Sequence, residues 1–330
     1  MEMLPKTLVE AIKYYSDTQT CINAVAALRW PDGKPACPKC HAVEGGRKHY
    51  WLDAQKRWKC YSCRKQFSVK VGSIFEDSPL GLDVWMVALW MLVNCKNGVS
   101  SYEIERATGI CQKSAWFVLQ RLRLVLKDVQ PVMLGGEGAT VQMDECYTGG
   151  VPQKMHYKRR IELQRIRNGQ KAKGGVNPGK TAVFGMIESE TKQVRAMVLP
   201  NVKRSTLMGA ILDNVGFGST IHTDMYPGYQ AMPSQYIHET VNHMREYVTD
   251  TGVHTQSIEN FWSLLKRTLQ GTYVAVEPFH MDRYLDEQTF RFNNRLGHND
   301  GTRFRKALSQ VGGKRLTWNE LTGKGSQPAV

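Results

Sequence analysis

The hydrophobic and polar positions of this chain follow several successive rhythms. Residues 6–28 keep a helical period and stop at the turn-forming Trp30, Pro31, Asp32 and Gly33. Short strand-like stretches follow at 49–52, 57–59 and 66–68. Ser78 and Pro79 then open a dense apolar segment, 82–93, which predicts a core helix broken by Asn97 and Gly98. Ser100 and Glu103 have the spacing of a capping box, so a short helix is expected from there to Thr108 and Gly109. Beyond that turn Ala115, Leu119, Leu122 and Leu126 recur at helical intervals, with Lys113, Arg121, Arg123 and Lys127 distributed along the same helix. Two helices about a glycine turn outline a helix-turn-helix, whose second helix would enter a DNA major groove; an ordinary helical hairpin has the same outline.

Gly135, Gly136 and Gly138 predict a flexible joint, and the character of the chain changes after them. Strands are expected over 140–147, 181–188 and 193–199, a helix over 202–214, a strand over 220–223, and a helix-rich region from 255 to 295. Strands first, then alternation, then helices suit an α/β domain with a mixed sheet. Residues 323–330 read as a loose tail. The resulting division is 1–75, 76–134, 135–300 and 301–330.

Composition narrows the class. The 330 residues are 42% hydrophobic and 9% aromatic, which argues for a globular chain rather than a disordered one. The longest apolar run, 84–93, is about half of what a membrane span requires. The N-terminal residues carry acids early and lack a secretory pattern, so a cytoplasmic protein with no membrane partner is expected. A formal charge of +14 favours a polyanionic partner, of which nucleic acid is the common one, over an ordinary basic enzyme.

Four of the eight cysteines form one pattern. Cys37 and Cys40, then nineteen residues, then Cys60 and Cys63, offer two knuckles that a hairpin can bring together around one Zn²⁺. His41 and His49 lie in the same segment, but four thiolates already complete the shell. Cys21, Cys95, Cys111 and Cys146 have no partner at suggestive spacing and read as small buried side chains.

The carboxylates of the second half carry the candidate chemistry. Asp144 lies within a predicted strand, where aspartate is depleted, and so needs a reason to be there. Asp224 ends the strand that contains His222 and precedes the turn at Pro227 and Gly228, the edge at which α/β sites tend to form. Either acid alone also fits a structural pair or a turn cap. Ile258, Phe261, Trp262, Leu265 and Leu269 mark one apolar helix face, with Glu259, Ser263, Lys266 and Gln270 on the stripe beside it.

Together these segments resemble the IS1595-type (ISXO2-like) transposases of bacterial insertion sequences, within the DDE superfamily. The similarity rests on residues 28–33 (LRWPDG), the four cysteines, 144–150 (DECYTGG), 254–267 (HTQSIENFWSLLKR), 284–287 (YLDE) and 291–295 (RFNNR), and it runs over roughly 10–320. Gln256 stands where the family often has Asn. The resemblance implies a ribonuclease-H-like mixed-sheet catalytic domain over 135–300, preceded by the zinc ribbon and the helix-turn-helix and followed by a C-terminal extension. It implies that Asp144, Asp224 and Glu259 hold Mg²⁺ (or Mn²⁺), Asp144 bridging two ions, and that Lys266 meets DNA near the scissile phosphate. Glu145, Asp286 and Glu287 are the alternative acids.

The expected reaction is cleavage at terminal inverted repeats and joining of the 3′ ends to target DNA by two-metal transesterification. The partners are then double-stranded DNA and further copies of the chain on paired ends, with the protein on the bacterial nucleoid when bound. DNA contacts are expected from Lys113, Arg121, Arg123, Lys266 and Arg267. A basic stretch, 154–180, with nine Lys or Arg and one Glu, adds Lys158, Arg159 and Arg160 as a backbone clamp, though a charge run is also the mark of a solvated loop. His222 and His254 flank the acids as structural or phosphate-contacting side chains. Two other readings fit the same features: a zinc-ribbon DNA-binding regulator with an inactive catalytic domain, and a metal-dependent nuclease that never joins strands.

Overall fold

A computed structural model describes residues 5–43, 47–128, 132–149, 157–158, 160–161, 164, 180–242, 248–249 and 252–323. The chain forms two compact units, Asp128–Asn293 and a discontinuous one made of Met1–Lys127 with Asn294–Val330.

In the discontinuous unit the first helical stretch is two helices. α1 (Leu8–Tyr15) stops at Ser16, and Asp17 caps α2 (Thr18–Arg29) by accepting from the Thr20 N–H at 2.7 Å. The ribbon follows as a three-stranded antiparallel sheet, β1 (Tyr50–Leu52), β2 (Arg57–Lys59) and β3 (Gln66–Phe67). Trp58 stacks on Phe67 with ring centroids 5.7 Å apart, and Trp30 meets Trp58 edge-on at 5.4 Å. α3 (Leu82–Asn94) is buried along most of its length, as its uninterrupted apolar sequence demands.

α4 (Ser101–Thr108) begins with both bonds of its capping box, Ser100 N–H to Glu103 at 2.6 Å and Glu103 N–H to the Ser100 hydroxyl at 3.2 Å. It ends at Gly109, whose φ of 74° suits glycine. α5 (Gln112–Leu126) buries Ala115, Leu119, Leu122 and Leu126, the expected stripe.

It also buries two side chains that the charge pattern assigned to DNA. Arg121 donates to the Glu76 carbonyl at 2.8 Å and lies over the Trp85 and Phe117 rings; Arg123 is only 1% exposed. A guanidinium enclosed in this way cannot reach a phosphate, so Arg121 and Arg123 are corrected to structural side chains. Lys113 stays exposed, its ammonium 4.8 Å above the Trp318 ring.

The C-terminal residues complete this unit. α9 (Asp300–Ser309) packs on α3, with Phe304 between Trp90 and Tyr15 at centroid distances of 5.2 and 5.3 Å. The short α10 (Trp318–Leu321) sets Trp318 against Trp116 and Phe117.

The second unit is a mixed α/β layer structure. A five-stranded sheet has the order β10-β9-β5-β6-β7, with β5 (Thr140–Thr148), β6 (Thr181–Glu188) and β7 (Val194–Leu199) antiparallel, and β9 (Thr220–Asp224) and β10 (Ile237–Val241) parallel to β5. α6 (Arg204–Asn214) covers one face: Leu207 and Ile211 join Val141, Met143, Phe184 and Ile221 in one core. α7 (Gln256–Thr268) and α8 (Met281–Asn293) cover the other, where Ile258, Phe261, Trp262 and Leu265 pack with Cys146, Val183 and Leu285. With both faces covered, β6 is a continuous apolar run.

The glycines after Leu134 are not a loose joint. β4 (Leu134–Gly135) pairs in parallel with β8 (Val215–Gly216), and Gly136 N–H donates to the Ser219 hydroxyl at 2.8 Å. Of the basic stretch, Lys158 and Arg160 are exposed in helical turns; Arg159 and most of the remainder lie outside the described residues, as does the tail beyond Gly323. No described helix is long and apolar enough to cross a membrane.

Candidate active site

The site is built by one strand lying against one helix. Along β5 the side chains of Gln142, Asp144 and Cys146 share the face that α7 covers, while Val141 and Met143 face α6. Gln142 accepts from the Ser257 N–H at the start of α7 at 3.0 Å and donates to Ser189 at 3.1 Å. Two residues on, Asp144 Oδ2 accepts from Trp262 Nε1 at 3.1 Å. Two further, Cys146 lies near enough to Lys266 for the ammonium to offset part of the rise that burial gives its thiol. Steps of two along a strand, about 6.6 Å, match steps of four to five along a helix, about 6–7.5 Å, so the elements stay in register from Gln142 to Cys146.

Gly185 makes this approach possible. It is the partner of Asp144 on β6, and a Cβ there would stand 2.5 Å from the Trp262 ring and 2.9 Å from Ile258. Gly185 was passed over in the sequence, although a lone glycine inside an apolar strand is a signal of such a close approach.

Asp224 ends β9. The β5–β9 pairing runs to Gln142 and His222, and two more residues along each strand bring Asp144 level with Asp224. Asp224 Oδ1 accepts from the Tyr226 N–H at 3.0 Å, the local turn bond anticipated for this position. Glu259, in the first turn of α7, accepts from the Thr255 hydroxyl at 3.1 Å. Burial, then the charges of Asp224 and Glu259, push the Asp144 carboxyl up to about 7.

A cleft of about 530 Å³ opens here, lined by Asp144, Glu145, Glu259, Trp262, Ser263, Lys266, Arg267 and Gln270. Acids at one end of α7 and the cations Lys266 and Arg267 at the other give it two signs of charge, arranged as the helix dipole prefers.

The other acids named from the sequence have different surroundings. Glu145 accepts from the Tyr229 hydroxyl at 2.5 Å, and burial pushes its carboxyl to about 7. Glu287 is fully buried, bonded to Arg291 and to the Tyr273 hydroxyl. His222 pairs with Glu239 at 3.1 Å. The bonds from Trp262 to Asp144, from Tyr229 to Glu145 and from Ser257 to Gln142 were not foreseen, because each joins residues 84 or more apart in sequence.

The cysteines of the ribbon meet as the spacing required. All four sulfurs lie within 4.8 Å of one another, with Cys37–Cys63 at 3.8 Å and Cys40–Cys60 at 3.6 Å. A tetrahedron with Zn–S near 2.3 Å has an edge of about 3.8 Å, so the set fits zinc. The two knuckles repeat one backbone pattern: His41 N–H donates to the Cys37 carbonyl and Arg64 N–H to that of Cys60. The backbone N–H of Lys65 holds the Cys63 thiol down to about 7. His49 is not a ligand, since one ring nitrogen faces the Ala42 carbonyl and the other accepts from the Tyr61 N–H. Of the remaining cysteines, Cys21 and Cys146 are buried, whereas Cys95 is half-buried and Cys111 is exposed ahead of α5.

Comparisons with known proteins agree along the chain. Residues 133–293 match the ISXO2-like transposase domain, and residues 16–66 match the transposase zinc-ribbon domain. An uncharacterized protein in transposable element ISH50 of Halobacterium salinarum is 23% identical over 78% of this chain and 85% of its own length. An uncharacterized transposase-like protein of Haemophilus influenzae is 32% identical over 31% of this chain and 82% of its own length. Among solved structures, a chain of a simian T-cell lymphotropic virus intasome in complex with PP2A regulatory subunit B56 gamma aligns with 60% of this chain and 66% of that chain, at 13% identity and a TM-score of 0.27. That overlap is too loose to establish a common fold. The family matches and the Haemophilus relative place this chain among the IS1595-type, ISXO2-like transposases.

Proposed function

We propose that this transposase cleaves DNA at the terminal inverted repeats of its insertion sequence and joins the 3′ ends to target DNA, with Asp144, Asp224, Glu259 and Lys266 as its catalytic residues. The observation that carries the reading is a cleft with Asp144 and Glu259 toward one end and Lys266 and Arg267 toward the other, with the charge of Asp224 near enough to raise the Asp144 carboxyl. The mixed sheet supports assigning the unit to the ribonuclease-H-like class.

Among the described residues the four cysteines are the one group of three or more such side chains drawn closely enough to hold a metal, so the carboxylates stand farther apart. Their chemistry still fits hard divalent cations: oxygen donors, partly buried, with the charges of Asp224 and Glu259 both raising the cost of charge on Asp144. Mg²⁺ held by Asp144, Asp224 and Glu259 would activate the attacking hydroxyl and stabilise the leaving oxygen. Trp262 fixes one Asp144 oxygen, which leaves the other to face the cleft. Lys266 and Arg267 neutralise the phosphodiester as it settles there, and Lys158, Arg159, Arg160 and Lys113 add backbone contacts that carry no sequence information. The ribbon and the α4–α5 pair, read as a helix-turn-helix, recognise the repeats, and copies of the chain assemble on paired ends.

The test is strand cleavage and joining on DNA carrying the element's own ends, with Mg²⁺. Nicking and joining that depend on the metal and disappear in Asp224→Ala establish the proposal. Cleavage without joining makes the protein a nuclease, and tight binding without strand chemistry by folded protein makes it a regulator.

A further inference from the structure

The ribbon carries a cavity that the metal does not explain. It measures about 360 Å³ and is lined by Arg47, Lys48, His49, Tyr50, Tyr61 and Arg64. This volume is at the small end of the roughly 300–1,000 Å³ of ligand pockets. Its floor is rigid. The His49 ring is 6% exposed, held between the Ala42 carbonyl at 3.2 Å and the Tyr61 N–H at 3.3 Å, and stacked on Tyr61 at 5.3 Å and 25°. Its rim is cationic: Arg47, Lys48 and Arg64 are all exposed, and no ion pair joins them to a carboxylate among the described residues. Tyr50 stands at the edge, 57% exposed.

Arg64 offers a clean substitution. Its φ is 62°, in the left-handed region that glycine enters without strain and an ordinary residue does not. The knuckle needs that conformation after Cys63, and glycine would satisfy it without strain. His41 takes the same conformation at the matching position of the other knuckle, with a φ of 59°, so what sets Arg64 apart is its guanidinium at the mouth of the pocket.

We propose that this pocket binds an unpaired DNA nucleotide, its base on the Tyr50 and Tyr61 rings and its phosphate among Arg47, Lys48 and Arg64. Aromatic faces beside unpaired cations are the combination that holds single strands, whereas duplex backbone needs the cations alone. The inference rests on DNA being the ligand of the ribbon, as proposed above, and not on any chemistry at Asp144.

The experiment uses the full chain with zinc bound and no Mg²⁺. Affinities for a fluorescent thymidine dodecamer and for an end-repeat duplex are measured by anisotropy for wild type, Tyr50→Ala and Arg64→Gly. Stacking energies of about 1–3 kcal/mol per base correspond to an expected loss of about 5- to 140-fold on the single strand for Tyr50→Ala, with little change on the duplex. Arg64→Gly is expected to melt at or above the wild-type temperature and still bind the dodecamer more weakly, a pairing that a purely structural arginine would not give. Zinc content and thermal melts confirm that each variant is folded. Unchanged dodecamer affinity in both folded variants overturns the pocket, and so does an equal loss on both DNAs. A wild-type chain that binds neither DNA overturns the reading of the ribbon as a DNA module as well.

Discussion

The proposed site depends on a side chain that is missing. At Gly185 a Cβ would stand 2.5 Å from the Trp262 ring, with the backbone of a central strand on one side and a packed helix on the other. Neither neighbour yields cheaply, so Gly185→Ala is expected to destabilise the fold by about 1–3 kcal/mol and to move the indole off Asp144. A thermal melt reads the first effect and strand cleavage the second; a variant that melts and cuts like wild type would mean that the helix moves aside freely. Asp144 supports a second prediction. Its carboxyl titrates near 7 in the folded chain against 3.8 as the ordinary value. A raised acid pKa leaves folding unpenalised below about 4, and the penalty grows with pH until it is complete above 7, on the order of a few kcal/mol. Without added divalent cations, Asp144→Asn should therefore melt above wild type at pH 8, by a margin that narrows at pH 5 and on adding Mg²⁺. A margin independent of pH would refute the burial and neighbouring charge held to raise this carboxyl.

Among the elements, what the sequence revealed depended on how local the signal was. The stripe Ile258, Phe261, Trp262 and Leu265 predicted α7, the capping box predicted the start of α4, and both stand as read. β10 was missed because its exposure is irregular, as befits an edge strand with Ile237 in the open. The cations of α5 misled for a related reason. Charge on a helix usually marks its wet face, and only the packing of Trp85 and Phe117 around Arg121 reveals that this helix is enclosed. The candidate acids were legible one by one, and the family resemblance alone joined them; that Asp144 lies level with Asp224 was not legible, since it depends on β5 and β9 pairing side by side with α7 across β5. Gln142 is the clearest case. Its amide is 1% exposed and joins α7 to the Ser189 turn. Gln142→Leu keeps the volume, strands the Ser257 N–H and the Ser189 hydroxyl, and should cost about 1–3 kcal/mol. Urea unfolding would register this as a lower midpoint at constant slope, and an unmoved midpoint would show that water replaces the amide.

For the molecule as a whole, the chain leaves its first unit at Lys127 and returns to it at Asn294. Read along the sequence, 301–330 was an extension; in space Phe304, Ala307 and Leu308 are core, with Phe304 wedged between Trp90 and Tyr15. Nothing near residue 304 announces a partner more than two hundred residues upstream, which is why no periodicity revealed it. Lys314 reinforces the closure by donating to the Leu124 and Val125 carbonyls at 2.9 and 3.2 Å. The consequence is an asymmetry under truncation. Ending the chain after Asn293 strips buried aromatic and aliphatic surface from α3 and α5, and large-to-small losses of even one such side chain cost about 3–5 kcal/mol. It removes nothing from the Asp128–Asn293 unit, whose sheet and covering helices lie wholly within it. Hydrogen exchange on the truncated chain should therefore show α3, α4 and α5 unprotected while β5, β6 and α7 keep their protection. Protection lost equally from both units would mean that they fold as one cooperative body, and protection kept in both would mean that the C-terminal helices are dispensable to the core they occupy.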